Sequence, residues 1–261
     1  MRYAARMCVL AFAWNVHPQW RLLLVGNRDE LHARPSAPLA RWPDAPGVIA
    51  GRDLEAGGTW MGVGEPGRAA VVTNVRDPRL PHDGLSRGWL VTDFLRGADG
   101  AAGHAEELTT DAAHYRPFNL LLFDQQEGRF VSNAPNVRGH AFDAGLHGLS
   151  NGGLDAPWPK LARAIAALRD WLDAGKDSFA DLLDAFMDDT IAPDTALPDT
   201  GVGVDMERQL SPVFVRGGRY GTRATTLIAL GRNGGGCIVE RRFGPAGVPQ
   251  GETTLRFGGA A

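Results

Sequence analysis

Two cysteines, Cys8 and Cys237, are all that the 261-residue chain contains, and they stand near its opposite ends. That scarcity excludes a disulfide framework or a cysteine-based zinc site, which need several cysteines at set spacings, and fits a reducing, cytoplasmic compartment. Lysine is as scarce: only Lys160 and Lys176 accompany the arginines, and 27 basic residues face 30 acidic ones for a net charge of -3. This balance gives no reason to expect a nucleic-acid partner, whose phosphates are bound by clustered Lys and Arg. No apolar stretch approaches the roughly 18 to 20 residues of a membrane helix. Arg2 and Arg6 ahead of the apolar run 7–14 imitate a targeting signal only faintly, since the run is short and small residues do not precede Cys8. The seven histidines show no metal-ligand spacing, and the Cys-x-x-Cys-His motif of covalent haem attachment is absent. With no internal repeat, low-complexity tract or linker, the chain is expected to form one domain over 1–261, with 1–7 an extension or a mis-assigned start.

Glycine and proline, by contrast, are plentiful and punctuate short apolar runs. Runs at 8–14, 21–25, 59–63 and 69–74, with turns at Gly57-Gly58 and Glu65-Pro66-Gly67, predict antiparallel strands. Behind Ser86, the spacing of Trp89, Leu90 and Phe94 predicts a short helix. Strand-like runs return at 118–123, 129–132 and 147–151. A longer helix is expected from a cap near Asp155, opened by Pro157 and Pro159, with Leu161, Ile165, Leu168 and Leu172 in one stripe. A second follows Ser178 with Phe179, Leu182, Leu183, Phe186 and Met187, and both stripes are core. Residues 192–211, rich in Pro, Asp, Thr and Gly, read as a long surface loop or lid, and three strands close the chain at 220–230, 237–243 and 252–257. Strands, then helices, then strands predict an α+β fold with helices packed on antiparallel sheets.

Cys8 follows Met7, so loss of the residues up to Met7 would make it an amino-terminal cysteine. Such a residue carries both nucleophile and base, a thiol of ordinary pKa about 8.5 and an α-amine of about 8. A cysteine in an apolar strand is more often a small core residue, and Cys8 taken alone fits that description too. Gly26-Asn27-Arg28-Asp29-Glu30 closes the second predicted strand with four polar residues in a row. An Arg beside Cys8 would favour its thiolate and an Asp could orient the amine; the plain alternative is a solvated hairpin end. In an unbroken strand Asn27 and Asp29 face one way and Arg28 and Glu30 the other, so both Arg28 and Asp29 reach Cys8 only if the backbone bends. Asn74 and Asn151 each end a predicted strand, where an amide either donates to an oxyanion or forms a turn. Arg223 enters a strand that otherwise reads as core and requires a partner there: Asp29, Glu30 or a substrate carboxylate.

In their order, Met7-Cys8, Gly26-Asn27-Arg28-Asp29-Glu30, Gly57-Gly58-Thr59-Trp60-Met61-Gly62 and Val72-Thr73-Asn74 resemble the NRDE family, transport and Golgi organisation protein 2-like. Phe118-Asn119-Leu120-Leu121, Gly148-Leu149-Ser150-Asn151, Asp155-Ala156-Pro157-Trp158-Pro159-Lys160 and Tyr220-Gly221-Thr222-Arg223 extend the resemblance over nearly the whole chain. It implies the four-layer αββα sandwich of the N-terminal-nucleophile hydrolases. By similarity to choloylglycine hydrolases and penicillin V acylases, it implies Cys8 as nucleophile and Arg28 and Asp29 as its activating pair. Asn74 and Asn151 would be oxyanion or amine ligands, and Arg223 a charge partner near the thiol. In those amidases two residues separate the Arg from the Asp, whereas here the two are adjacent. Two functions follow from the resemblance. One is a cysteine amidohydrolase cleaving a non-peptide C–N amide bond without a cofactor; the other is a non-catalytic carrier of haem, acyl-coenzyme A or lipid, as in haem trafficking. Either way the partner is a small amide, acyl or haem ligand, with no nucleic acid and no membrane span.

Overall fold

A computed structural model describes residues 7–81 and 83–258, so all of the expected extension except Met7 lies outside the described residues. Met7–Trp14 (β1) and Trp20–Leu31 (β2) pair as a hairpin, followed by Ser36–Trp42 (β3), Ala45–Asp53 (β4), Met61–Gly64 (β5) and Arg68–Asn74 (β6). Helices Gly88–Arg96 (α1) and Ala101–Asp111 (α2) precede Phe118–Phe123 (β7), Gly128–Ser132 (β8), Arg138–Ala141 (β9) and Gly145–Leu149 (β10). Pro159–Asp173 (α3), Phe179–Ala185 (α4) and Val204–Gln209 (α5) lead to Tyr220–Gly231 (β11), Gly236–Phe243 (β12) and Pro249–Phe257 (β13).

The strands form two sheets, in the orders β10-β1-β2-β11-β12-β13 and β3-β4-β5-β6-β7-β8-β9, with antiparallel pairing throughout. Alternation along β1 explains how the layers stack. Leu10, Phe12 and Trp14 turn inward to meet Val71, Leu121 and Phe123 of the second sheet. Val9, Ala11 and Ala13 turn outward beneath Leu161, Ala164 and Leu168 of α3 and Leu182 of α4. On the far side, Leu90, Phe94 and Leu108 of α1 and α2 cover Ala70, Leu120 and Leu122. The result is a four-layer αββα sandwich, the order that the resemblance implied. Each apolar side chain taken fully out of water contributes on the order of 1.5 to 3 kcal/mol, so three stacked apolar layers hold the sheets in register.

Several elements differ from the sequence reading. The polar segment 26–30 is not a solvated hairpin end: β2 runs through it, flanked by β1 and β11, with Asn27, Arg28, Asp29 and Glu30 all buried. Each finds partners there; Asn27, for example, donates to the Phe186 and Val213 carbonyls at 2.9 Å and accepts from Thr225 at 2.7 Å. Asn151 lies just past β10 and not in it. The segment 192–211 contains α5 and is tied down at both ends, Ala192 N–H donating to Ser211 Oγ at 2.9 Å and buried Glu207 pairing with Arg76. No helix among the described residues is long and apolar enough to cross a membrane.

Candidate functional site

A polar cleft opens at the ends of strands β1, β2 and β6, lined by Cys8, Arg28, Asn74 and part of Asp29. Trp60 forms one wall; Arg87 and Gly88 at the start of α1, together with Arg116, form another. Cys8 and Arg28 are cross-strand partners, so both side chains leave the hairpin on the face turned toward the second sheet. Arg28 is fixed there by stacking on Trp60, 4.4 Å from the ring centroid, and by Glu30 at 3.5 Å. Gly58, just before this wall, packs directly on the backbone of Gly88, which sets the distance between Trp60 and α1.

Below Cys8 the hydrogen bonds form a closed set. Its N–H donates to Asn151 Oδ1 at 3.2 Å, and its carbonyl accepts from Ser150 Oγ at 2.7 Å. The Asn151 amide nitrogen donates to both the carbonyl and Oδ1 of Asn74, at 2.9 and 3.0 Å. The Asn151 side chain therefore has no donor left for a substrate. Asn74, its oxygens engaged, keeps its own amide nitrogen for the cleft it lines.

Asp29 and Met7 are also cross-strand partners, on the opposite face, toward α3. Alternation therefore directs the Asp29 carboxylate away from the Cys8 side chain, although its charge still acts on the thiol. Asp29 Oδ1 accepts from Thr222 Oγ1 at 2.6 Å, whereas the buried Oδ2 has no partner. Met7 is fully buried, and its N–H donates to Tyr220 Oη at 2.7 Å. Arg223 stands apart from the cleft. It sits at a register shift between Thr222 and Ala224 and donates to the carbonyls of Arg34 and, at 3.4 Å, Leu31; of the two carboxylates expected as partners, it is the Glu30 charge that favours its ionised form.

Burial governs the electrostatics. It pushes the Cys8 thiol up to about 11, with the Asp29 charge adding to the rise, while Arg28, the Asp29 N–H and Lys160 oppose it. Burial likewise raises Asp29, opposed first by Lys160 and then by the Thr222 hydrogen bond and Arg28. Lys160, Tyr220 and Thr222 are site neighbours to which the sequence reading gave no role. For Lys160 the available signal was its rarity, one of two lysines, placed just behind the proline that opens α3.

Among the described residues, no three His, Cys, Asp or Glu side chains are arranged to hold a metal ion. The cleft lining contains no histidine, and Trp60 and Val72 are its only large apolar side chains, a poor match for a porphyrin or an acyl chain.

The profile of the family described as Transport and Golgi organisation 2 matches residues 7–245. The Transport and Golgi organization protein 2 homolog of Homo sapiens is 30% identical, with 90% of this chain aligned to 92% of that protein. The Bos taurus homolog is 29% identical, over 95% of this chain and 97% of its own length. Among solved structures, penicillin V acylase from Agrobacterium tumefaciens aligns with a TM-score of 0.45 and 13% identity, covering 90% of this chain and 83% of that one.

Proposed function

The chain belongs to the Transport and Golgi organisation 2 family, and from that premise we propose that it is an N-terminal cysteine amidohydrolase acting on a non-peptide amide once Cys8 is residue one. The observation that carries this reading is the Cys8 sulfur in the cleft lining beside Arg28, with the Cys8 nitrogen held by Asn151 and Asn151 held by Asn74. A nucleophile, an oriented nitrogen and a donor for an oxyanion thus meet at one strand end.

In the proposed reaction Cys8 Sγ attacks the amide carbonyl carbon, and the thiol proton passes to the α-amine. The amine gives that proton to the leaving nitrogen as the C–N bond breaks, leaving a thioester on Cys8. Water, deprotonated by the same amine, then releases the acid and restores the thiol. Asn74 donates to the oxyanion, a contribution worth on the order of a hundred- to a thousandfold in rate. Arg28 favours the thiolate, and Asn151 holds the amine in line. The polar lining of the cleft suits a substrate with hydrogen-bonding groups more than a bare acyl chain.

With Met7 in place the Cys8 nitrogen is an amide and cannot act as a base, and burial pushes the thiol up to about 11. The intact mass of the protein purified from its complete reading frame is therefore the first measurement. A mass beginning at Cys8, together with release of p-nitroaniline from N-acyl p-nitroanilides that is lost in Cys8→Ser, is the expected result. A mass that retains Met7, with no release from any of the anilides, overturns the reading.

A further inference from the structure

Lys160 occupies the second position of α3, the end of a helix where the backbone dipole disfavours a cation, and it is only 2% exposed. Its Nζ has no hydrogen-bond partner among the described residues. Burial and the Arg76 charge both disfavour an ammonium so placed, and only the acidic neighbours favour it. The charged and titratable groups acting on it are Asp29 on β2, Cys8 on β1, Arg76 beyond β6 and Glu207 on α5. Glu207 is already engaged: it pairs with Arg76 and accepts two hydrogen bonds from Thr200. Asp29 is left as the carboxylate that Lys160 can serve, and its Oδ2 is likewise buried without a hydrogen-bond partner, as is Arg76 Nε.

The position of this pair gives it meaning. Alternation puts Asp29 and Met7 on the face of the hairpin turned toward α3, so the volume that Met7 fills is bordered by the Asp29 carboxylate. A Cys8 amine freed by loss of residue 7 would direct new N–H donors into that volume. We propose that Lys160 is a positioning residue, whose ammonium keeps Asp29 ionised on the α3 side of β1 so that the freed Cys8 amine meets a carboxylate and not a neutral acid. Burial alone drives Asp29 toward the neutral form, and the Lys160 charge is the largest influence against it. The inference rests on the amidohydrolase reading, because a blocked Cys8 nitrogen has no use for such an acceptor.

The test is the titration of Asp29 itself, followed by NMR of the full chain labelled with 13C at the aspartate carboxyl carbons and assigned by the signal lost in Asp29→Asn. In Lys160→Met the midpoint is expected to rise by one unit or more, lowering the carboxylate-to-acid ratio about tenfold at a given pH. In Lys160→Arg it is expected to stay near that of the unsubstituted protein. Lys160→Gln, which keeps a polar head, is titrated beside them in case the Met variant does not fold. A Met or Gln variant with native near-UV circular dichroism and an unmoved Asp29 midpoint overturns the proposal. The titration requires no turnover, so failure to find hydrolysis would remove the amidohydrolase reading without altering this result.

Discussion

Asp29 and Lys160 are 1% and 2% exposed, and each leaves a buried polar atom without a partner. No ion-pair contact joins the two, but their charges act on each other through the buried interior; replacing two such opposite buried charges by neutral groups of similar shape is often stabilising, by about 1 to 4 kcal/mol, whereas removing only one is destabilising. The double variant Asp29→Asn, Lys160→Met is therefore expected to be more stable than the parent at pH 7, by about 1 to 3 kcal/mol in urea denaturation. Lys160→Met alone is expected to be less stable, with a definite pH dependence. Without the cation, burial holds the folded pKa of Asp29 above its unfolded value of about 4. The stability contributed by the neutral acid is then complete below the unfolded value and is lost as pH rises through the folded one. Relative to the parent, Lys160→Met should lose more stability at pH 8 than at pH 5; equal losses at the two pH values would contradict this account. Beyond its rarity nothing around Lys160 announced a site, because the carboxylate on which its charge acts lies on a strand more than a hundred residues earlier. Cys8 stood out because Met7 precedes it, and Arg28 and Asn74 because each is a polar group at the end of an apolar run. Arg223 was legible as an anomaly in its strand, but not its surroundings, since the register shift at which it sits depends on pairing between β2 and β11.

Elements with a strong period were readable and those without one were not. The α3 stripe and the run of β7 appear in the structure close to their expected limits, because their burial patterns repeat the sequence patterns. The helix α2 was missed, as its sequence AAGHAEELTTD buries only Ala101, Ala105 and Leu108. β9 was missed because all four of its residues are exposed, leaving no alternation to detect. β3 and β4 were hidden by prolines and charges, which a strand tolerates near a sheet edge. Gly57-Gly58 was read as a turn, and Gly57 does adopt a left-handed φ of 84°, but Gly58 has a second role. A Cβ there would lie 2.5 Å from the carbonyl carbon of Gly88, at the start of α1. Neither backbone can yield without moving the helix, so Gly58→Ala should lose about 1 to 3 kcal/mol through overpacking. It should also open the cleft wall, so that iodoacetamide alkylates Cys8 faster. An unchanged urea midpoint would show that α1 shifts freely, and that the wall is not set by this contact.

At the scale of the whole molecule, the sheet that carries Cys8 is assembled from both ends of the chain. β1 and β2 form its centre with β11, and β11 lies some two hundred residues further along the sequence. β2 therefore has its full set of ladder partners only after the last third of the chain has arrived, and Asn27 Oδ1 and Asp29 Oδ1 gain Thr225 and Thr222 as donors in the same step. Contacts of such sequence separation form slowly and cooperatively, because loop closure is opposed by chain entropy before the contacts it permits can offset it. One domain over 1–261 is accordingly proposed to unfold as a unit. Tryptophan fluorescence and far-UV circular dichroism report on different layers, since Trp14 lies between the sheets and Trp171 lies under α4. Their urea transitions are expected to coincide. A chain ending at residue 190 would lack β11 to β13, exposing one edge of β2 along with Leu23 and Val25, and is expected to be insoluble or molten. A soluble 1–190 fragment with a sharp transition of its own would divide the chain into two folding units and place the Cys8 hairpin in the first. The site would then be complete without Thr222 and Tyr220, and the neighbours that hold Asp29 and Met7 would be dispensable to the fold.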